Sequence, residues 1–140
     1  MDVHSKEIRS LNMSRIKGKN TKPELLVRKF LHAQGFRFRL HVKDLPGKPD
    51  LVLPKYKTVI FVHGCFWHGH ENCKYYVVPK TKTDWWLNKI NGNKTNDEKA
   101  MQTLQKLGWQ VIVLWECDLK TKVVEQTLTN LLSRLQQNKI

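Results

Sequence analysis

The sequence predicts an α/β fold in which a central mixed β-sheet is flanked by helices. Two observations lead to this fold class. Three segments with strand patterns follow one another between residues 36 and 62, and a more apolar segment at 110–115 lies between two stretches with helical periodicity. The chain has 140 residues, of which 40% are hydrophobic, so it can bury one continuous core and a single domain is expected.

This domain is predicted to span residues 21–140, after a basic, weakly periodic arm at residues 1–20. It starts at Thr21-Lys-Pro-Glu24, which has the sequence of a capping box with proline in the first turn. Apolar residues then recur at helical spacing until Gly35. We therefore predict a helix from about Lys22 to Gln34.

Three strands are predicted next. Phe36–Leu40 alternates apolar and basic residues, as a half-buried strand does, and a turn sequence follows at Leu45–Pro49. Asp50–Leu53 and Thr58–Val62 are rich in aliphatic residues and are separated by only four residues. They are predicted to form a compact hairpin.

Residues 63–82 are irregular and dense in His, Cys, Gly and aromatic residues, which predicts a long functional loop held by something other than a hydrophobic core. Two helices are predicted after it, a short one at 85–90 and another at 96–107 that Gly108 would end. The inner face of the second helix would consist of Ala100, Met101, Leu104 and Leu107.

The segment Gln110–Trp115 is almost continuously apolar, as in a strand that is buried on both faces. Trp109 and Trp115, in or next to this strand, are predicted to fill the core. Apolar residues from Val124 to Leu135 then mark a C-terminal amphipathic helix.

The charge of the chain points to a polyanionic partner. There are 25 Lys and Arg residues against 12 Asp and Glu, a formal charge of +13, and residues 1–49 alone hold 12 basic and 4 acidic residues, net +8. Nucleic acid is the commonest such partner, and an acidic membrane surface is the alternative. The apolar face of the arm is thin for a membrane-surface helix, which favours nucleic acid. A basic surface without a specific partner would have the same composition.

The cysteine count and the lack of long apolar runs indicate that the protein is intracellular. No run approaches the roughly 20 residues that cross a bilayer, and the N-terminus lacks the apolar stretch of a signal peptide. Three cysteines cannot all pair within one chain, and a reducing environment would keep thiols free for metal binding or chemistry. We therefore expect a soluble intracellular protein.

The densest chemical pattern is His63-Gly-Cys-Phe-Trp-His-Gly-His-Glu-Asn-Cys73, which a distant cysteine after the apolar strand can join. Structural zinc sites use four sulfur or nitrogen ligands, often only two to four residues apart. The predicted zinc ligands are Cys65, His70, Cys73 and Cys117. The spacing leaves open which of the three local histidines ligates. The alternative is that the cysteines are small buried apolar residues and the histidines lie at the surface.

A second pattern suggests hydrolytic chemistry. A carboxylate at a strand end, here Asp50, can hold Mg²⁺ against a phosphate, although an aspartate before a strand is most often a turn residue. His63, His68 and Asp97 would add titratable groups, and a histidine can take a proton from water near pH 7. Glu24 is a further candidate, but at the third position of a capping box its role could be purely structural.

Aromatic residues form a third pattern. Phe66 and Trp67 lie between predicted zinc ligands, and Trp85 and Trp86 follow a basic, threonine-rich turn. Aromatic side chains on a rigid basic loop can stack on bases or enter between base steps, and the alternative is that they fill the core. For Phe66 and Trp67 the nucleic-acid role is favoured, because polar ligands on both sides keep the segment at the surface.

These motifs resemble the very short patch repair (Vsr) DNA mismatch endonucleases over most of the chain. The most specific is the block Val59-Ile-Phe-Val-His-Gly-Cys-Phe-Trp-His68. The other matching segments are the arm from Asp2-Val-His4 through Asn12-Met13, Leu45-Pro-Gly-Lys-Pro-Asp50, Trp86-Leu-Asn-Lys-Ile90, Leu107-Gly-Trp-Gln-Val111 and Trp115-Glu-Cys117.

The resemblance implies a restriction-endonuclease-like fold and an enzyme that nicks one strand 5′ of the thymine in T:G mismatches. Such mismatches arise when 5-methylcytosine deaminates, and the nick would start very short patch repair. Asp50 would bind catalytic Mg²⁺ together with the backbone carbonyl of Val62, and His68 would be the general base. His63 and Asp97 would assist, Glu24 would lie nearby, and the four predicted ligands would hold a structural zinc ion.

The resemblance also implies how DNA is held. Phe66, Trp67 and Trp86 would form a wedge beside the mismatch, and the arm would direct Met13 and Ile16 toward the minor groove. Lys89 and Asn93 would be further DNA contacts. The implied setting is a monomer in the bacterial cytoplasm, associated with the nucleoid, with duplex DNA carrying a T:G mismatch as substrate and mismatch-repair proteins such as MutL as partners.

The sequence departs from the pattern of the wider fold at one strand, and it is also compatible with two other functions. Phe61-Val62-His63 lacks the acid and lysine that the wider fold places on its second strand, an absence that Vsr-like proteins share. Some Vsr-like proteins carry threonine where Val62 stands: the match fails if a side-chain oxygen holds the metal there, whereas valine serves equally if the backbone carbonyl does. The alternatives are a restriction-type nuclease that cuts both strands and a zinc-stabilised DNA-binding module without catalysis.

Overall fold

A computed structural model describes residues 21–137. The predicted basic arm at 1–20, with Met13 and Ile16, lies outside the described residues, as do residues 138–140. No helix in the described part of the chain is both long enough and apolar enough to cross a membrane.

Four strands form one mixed sheet in the order β1-β2-β3-β4. They are β1 (Arg39–Leu40), β2 (Leu51–Leu53), β3 (Thr58–His63) and β4 (Gln110–Trp115). Strand β2 runs antiparallel to both β1 and β3. Strands β3 and β4 are parallel and pair from Thr58 with Gln110 to His63 with Trp115. The predicted mixed sheet and the predicted hairpin are therefore confirmed.

Within residues 21–137, three helices cover the sheet: α1 (Lys22–Ala33), α2 (Thr83–Lys106) and α3 (Val124–Gln137). Short 3₁₀ helices follow β2 at Pro54–Tyr56 and β4 at Glu116–Leu119. Alternate residues of a strand point to opposite faces of the sheet, and this separates two cores. One core joins Leu51, Leu53 and Ile60 to α1 and α3, and the other joins Val52, Val59 and Phe61 to Leu104 of α2.

The two helices predicted at 85–90 and 96–107 are one continuous helix, α2. Its middle, Asn91-Gly-Asn, has no proline, and a Cβ added at Gly92 would meet no atom within 4 Å. Helix propagation is cooperative, so an exposed polar stretch without proline can continue the helix. Leu107 was wrongly assigned to the inner face. It is 55% exposed because the helix ends at Lys106 and the chain turns at Gly108 (φ +91°).

Two strand predictions also need correction. Only Arg39–Leu40 of the predicted strand 36–40 pairs, because β1 lies at the sheet edge and Phe36 instead enters the core beside Tyr56, with ring centroids 5.1 Å apart. The strand at 110–115 was expected to be buried on both faces. It is the other edge of the four-stranded sheet, so only Ile112 and Leu114 are buried and Trp115 is half-buried.

Candidate active site and metal centres

The hairpin register places Asp50 next to the end of β3. Leu51 pairs with Ile60, so the chain at Asp50 reaches Phe61, and the backbone N–H of the next residue, Val62, donates to Asp50 Oδ2 at 2.7 Å. The turn that leads into Asp50 depends on Gly47 (φ +75°), where an added Cβ would lie 2.7 Å from the Cβ of Ala100 in α2. The conformation of this turn and its packing against α2 together fix the position of the carboxylate.

Glu24 lies in the same cluster as Asp50. The N-cap Thr21 makes no side-chain capping hydrogen bond, so the predicted capping box is not formed. The Glu24 side chain is instead 3% exposed and accepts a hydrogen bond from Arg28 Nη2 at 2.6 Å, one helical turn away. Ligand atoms of Glu24, His41 and Asp50 all lie within 4.8 Å of one another. Glu24 therefore lies beside Asp50, and the reciprocal side-chain cap that a capping box would give it is not formed.

The proximity of two carboxylates changes the protonation of Asp50. Burial, followed by the neighbouring Glu24, raises the pKa of Asp50 to about 7 against the opposing effects of the Val62 N–H and the Arg28 charge. Two carboxylates at this separation share a proton unless a cation neutralises them. The donor set and its unfavourable charge therefore fit a divalent cation that accepts oxygen ligands.

His63, His68 and Asp97 form a second cluster with ligand atoms within 4.8 Å of one another. His68 Nδ1 lies 2.6 Å from Asp97 Oδ2, and the His68 ring stacks on His63 at a centroid distance of 3.8 Å. An ionised carboxylate only accepts hydrogen bonds, so Nδ1 carries the proton and Nε2 of a neutral His68 keeps its lone pair. This is the arrangement of a histidine that can take a proton from water.

His63 differs from His68 in burial. It is 4% exposed and its Nδ1 has no hydrogen-bond partner among the described residues. Burial, followed by the charge of His68, lowers the pKa of His63 to about 4, although Asp97 opposes the shift. His63 is therefore neutral at pH 7 and serves as a flat platform under His68.

Both clusters open into one cleft of about 1230 Å³, between the N-terminus of α1, the ends of β2 and β3, and α2. Among the predicted site residues, its walls include Asp50, Val62, His63, His68, Asp97, Phe66, Trp67 and Lys89. Sequence reasoning missed several other residues of the cleft and its neighbourhood: Lys22, Lys48 and Glu116 in the walls, and His41 beside Asp50. Lys22, Lys48 and Glu116 lie within motifs whose other residues drew attention, and His41 lies outside every motif, so the placement of all four in or beside the cleft depends on the tertiary fold.

The predicted wedge residues form one aromatic cluster, of which Phe66 and Trp67 line the cleft, together with Trp85 rather than Trp86. The rings of Phe66, Trp67 and Trp86 contact one another pairwise at centroid distances of 5.3 to 5.7 Å. Trp85 packs edge-on against Trp86 and is 57% exposed. Asn93 Nδ2 donates to the Trp67 carbonyl at 2.9 Å, so Asn93 braces this cluster from α2.

The three cysteines converge with a single histidine. Ligand atoms of Cys65, His70, Cys73 and Cys117 lie within 4.8 Å of one another, and the other two histidines of the motif belong to the cluster around Asp97. Cys117 Sγ lies 3.4 Å from His70 Nδ1, close to the roughly 3.6 Å separation of sulfur and nitrogen ligands around tetrahedral zinc. Trp115 stacks on the His70 ring at a centroid distance of 4.0 Å and holds it in place.

Two of the three thiols of this cluster are difficult to ionise without a bound cation. Burial raises the pKa of Cys65 to about 12 and also raises the pKa of Cys117. A zinc ion binds thiolates and offsets this cost, so the donor set fits zinc. The loop reaches the cysteines through Gly69 (φ +61°), where an added Cβ would lie 2.8 Å from Ile90 of α2. The cluster thereby joins the loop, the end of β4 and α2.

Replacing Cys117 with serine is expected to lower bound zinc from about one ion per chain to none and to lower the melting temperature, because three donors hold zinc poorly and the loop loses its brace. Metal analysis and thermal denaturation of the purified protein measure the two effects. Asp118→Asn, at an exposed neighbouring position, is the control and should change neither. Full retention of zinc, or its loss without any change in melting, would contradict the bracing role.

Comparison with known proteins gives consistent matches. The family described as "DNA mismatch endonuclease Vsr" matches residues 1–74. The chain is 51% identical over 133 residues to the type II nicking enzyme V.NmeAIP of Neisseria meningitidis, covering 95% of this chain and 94% of that protein. It is 46% identical over 132 residues to the type II nicking enzyme V.XorIIP of Xanthomonas oryzae, covering 94% and 96%. It is 44% identical over 130 residues to the DNA mismatch endonuclease Vsr of Escherichia coli, covering 91% and 83%.

Proposed function

This chain belongs to the Vsr family of DNA mismatch endonucleases, and we propose that it nicks one strand of duplex DNA 5′ of the thymine in a T:G mismatch. The nick would start very short patch repair of deaminated 5-methylcytosine. The observation that carries the proposal is the shared cleft, whose walls hold both Asp50 and the His68–Asp97 pair next to the aromatic cluster. The names of two relatives as nicking enzymes support cleavage of a single strand. The mixed sheet with its candidate site at strand ends supports a restriction-endonuclease-like fold.

Asp50 and the backbone carbonyl of Val62 would hold Mg²⁺, which supplies charge stabilisation at the scissile phosphate. Asp50 is kept in place for this role by the Val62 N–H. His68 would accept the proton of the attacking water at Nε2, because Asp97 holds its other nitrogen. His63 contributes a neutral stacked ring that fixes the plane of His68 without adding positive charge.

Phe66, Trp67 and Trp86 would enter the base stack beside the mismatch, because their mutual contacts give a rigid apolar edge at the cleft. A wobble pair costs less to distort than a Watson–Crick pair, which would favour T:G substrates. Lys89 is exposed at the cleft wall and is suited to contact DNA. The roles of Met13 and Ile16, a MutL partner and a monomeric state are proposed from the family resemblance.

Nicking can be separated from double-strand cleavage with a closed circular plasmid that carries one T:G mismatch. We expect nicked circles and no linear product, because one cleft with one His68–Asp97 pair serves one strand. A fully matched plasmid of the same sequence is the control and should stay closed. Linear product from the matched plasmid would instead support a restriction-type nuclease, and binding without any cut would support a DNA-binding module.

A further inference from the structure

We propose that Trp85 contacts DNA separately from the wedge of Phe66, Trp67 and Trp86, and that its indole stacks on a base next to the scissile phosphate. This inference rests on the proposed function and deepens it, because it adds a base contact inside the cleft that holds Asp50. The sequence alone does not distinguish the roles of Trp85 and Trp86, since the two residues are adjacent.

The two tryptophans of α2 face different parts of the molecule. An α-helix turns by about 100° per residue, so adjacent residues point in different directions and residues four apart share a face. Trp86 shares its face with Ile90, which lies beside Gly69 in the loop that carries the cysteines. Trp85 shares its face with Lys89, and both residues line the cleft. Trp86 therefore supports the wedge, whereas Trp85 faces the cleft itself.

Trp85 is exposed enough to bind a ligand. Its ring packs edge-on against Trp86 at a centroid distance of 4.8 Å and an interplanar angle of 87°, yet 57% of the residue stays exposed. The five tryptophans of the chain all lie within the described residues, and Trp85 is the only one of them that is exposed. Packing against Trp86 does not require this exposure, because apolar side chains that serve only packing are stabilised by burial. The free indole surface is therefore available to an aromatic ligand.

The cleft offers surfaces that fit a nucleotide. Leu25 of α1 is 43% exposed and lines the cleft on a different wall from Trp85, so two apolar side chains are open to this space. Three lysines also line it, Lys22, Lys48 and Lys89. A nucleotide presents a flat base, on which aromatic side chains stack, and an anionic phosphate, which ammonium groups bind. Since Asp50 and His68 line the same cleft, the stacked base is one of the two that flank the scissile phosphate.

The test measures binding of a T:G duplex by the complete, zinc-loaded protein in Ca²⁺, without cleavage. Trp85→Ala should weaken binding about tenfold, because a base–aromatic stack contributes affinity of that order. Trp85→Phe keeps an aromatic face and should bind within about threefold of the unmodified protein. Trp85→Leu keeps only apolar bulk and should bind as weakly as the alanine variant. Leu107→Ala is the control, because it removes an exposed apolar side chain just beyond the end of α2, and it should change nothing.

A second measurement locates the stacked base. The base on each side of the scissile phosphate is replaced in turn by an abasic residue, and Trp85→Ala should cost no further affinity where its partner is already absent. Unchanged affinity in Trp85→Ala, equal binding by the leucine and phenylalanine variants, or a full alanine penalty on both abasic duplexes would overturn the inference. Thermal denaturation checks that each variant is folded. The proposed function fails separately, if the unmodified protein does not nick the T:G duplex.

Discussion

Replacing Asp50 with alanine is expected to abolish nicking of a T:G duplex while leaving binding of that duplex intact. The substitution removes the carboxylate that would hold the metal ion, and metal stabilisation of a phosphoryl transition state contributes several kcal/mol, so the rate should fall by about 10³-fold or more. DNA binding should persist, because Phe66, Trp67 and the basic residues of the cleft are unchanged. Single-turnover cleavage and a binding assay in Ca²⁺ measure the two properties.

Two further variants test whether the loss of activity in Asp50→Ala results from misfolding. Asp50→Asn keeps an oxygen that can accept from the Val62 N–H and should be nearly as inactive as the alanine variant. Asp44→Ala changes an exposed carboxylate in the preceding loop and should cleave like the unmodified protein. Metal-dependent cleavage by well-folded Asp50→Ala would show that the reaction is organised around other residues.

The second large effect is expected for His68. Replacing it with alanine removes the proposed general base, and general-base catalysis contributes about 10²- to 10⁴-fold in rate. Asp97→Asn should cost less, because the imidazole stays stacked on His63 and loses only the group that fixes its tautomer. Single-turnover rates at saturating enzyme separate this chemical defect from any loss of affinity.

His32→Ala is the matched control for His68, because His32 is exposed and belongs to none of the candidate metal-binding groups among the described residues. It should cleave at the unmodified rate. If His68→Ala weakened DNA binding but cleaved at a normal rate once bound, His68 would be a DNA contact and the base would have to be another group.

Much of the fold could be predicted from local patterns. The hairpin of β2 and β3 follows from two aliphatic segments joined by four residues, and α1 and α3 follow from helical spacing of apolar residues. The continuity of α2 could not be predicted in this way, because Gly92 lies on an exposed face where no apolar periodicity is needed. The pairing of β1 depends on its place at the sheet edge, which local sequence does not encode.

The site residues that lie within one dense motif could be predicted from the sequence. The cysteines and histidines of the loop at 63–73 could be identified as a group, but their division between two clusters depends on where β3 ends and on the turn at Gly69. Arg28 and His41 could not be found, because they are 13 residues apart and meet only when α1 packs beside the strand end at Asp50. Residues that act through such long-range contacts leave no spacing signal in one sequence.

The most direct test of mismatch-dependent nicking compares two duplexes that differ in one base, T:G in one and C:G in the other. Each strand carries its own label, and single-turnover rates are measured with Mg²⁺. We expect the T:G duplex to be cut at least about tenfold faster, only on the thymine strand and 5′ of the thymine. Equal rates on the two duplexes, or cleavage of both strands, would contradict the account.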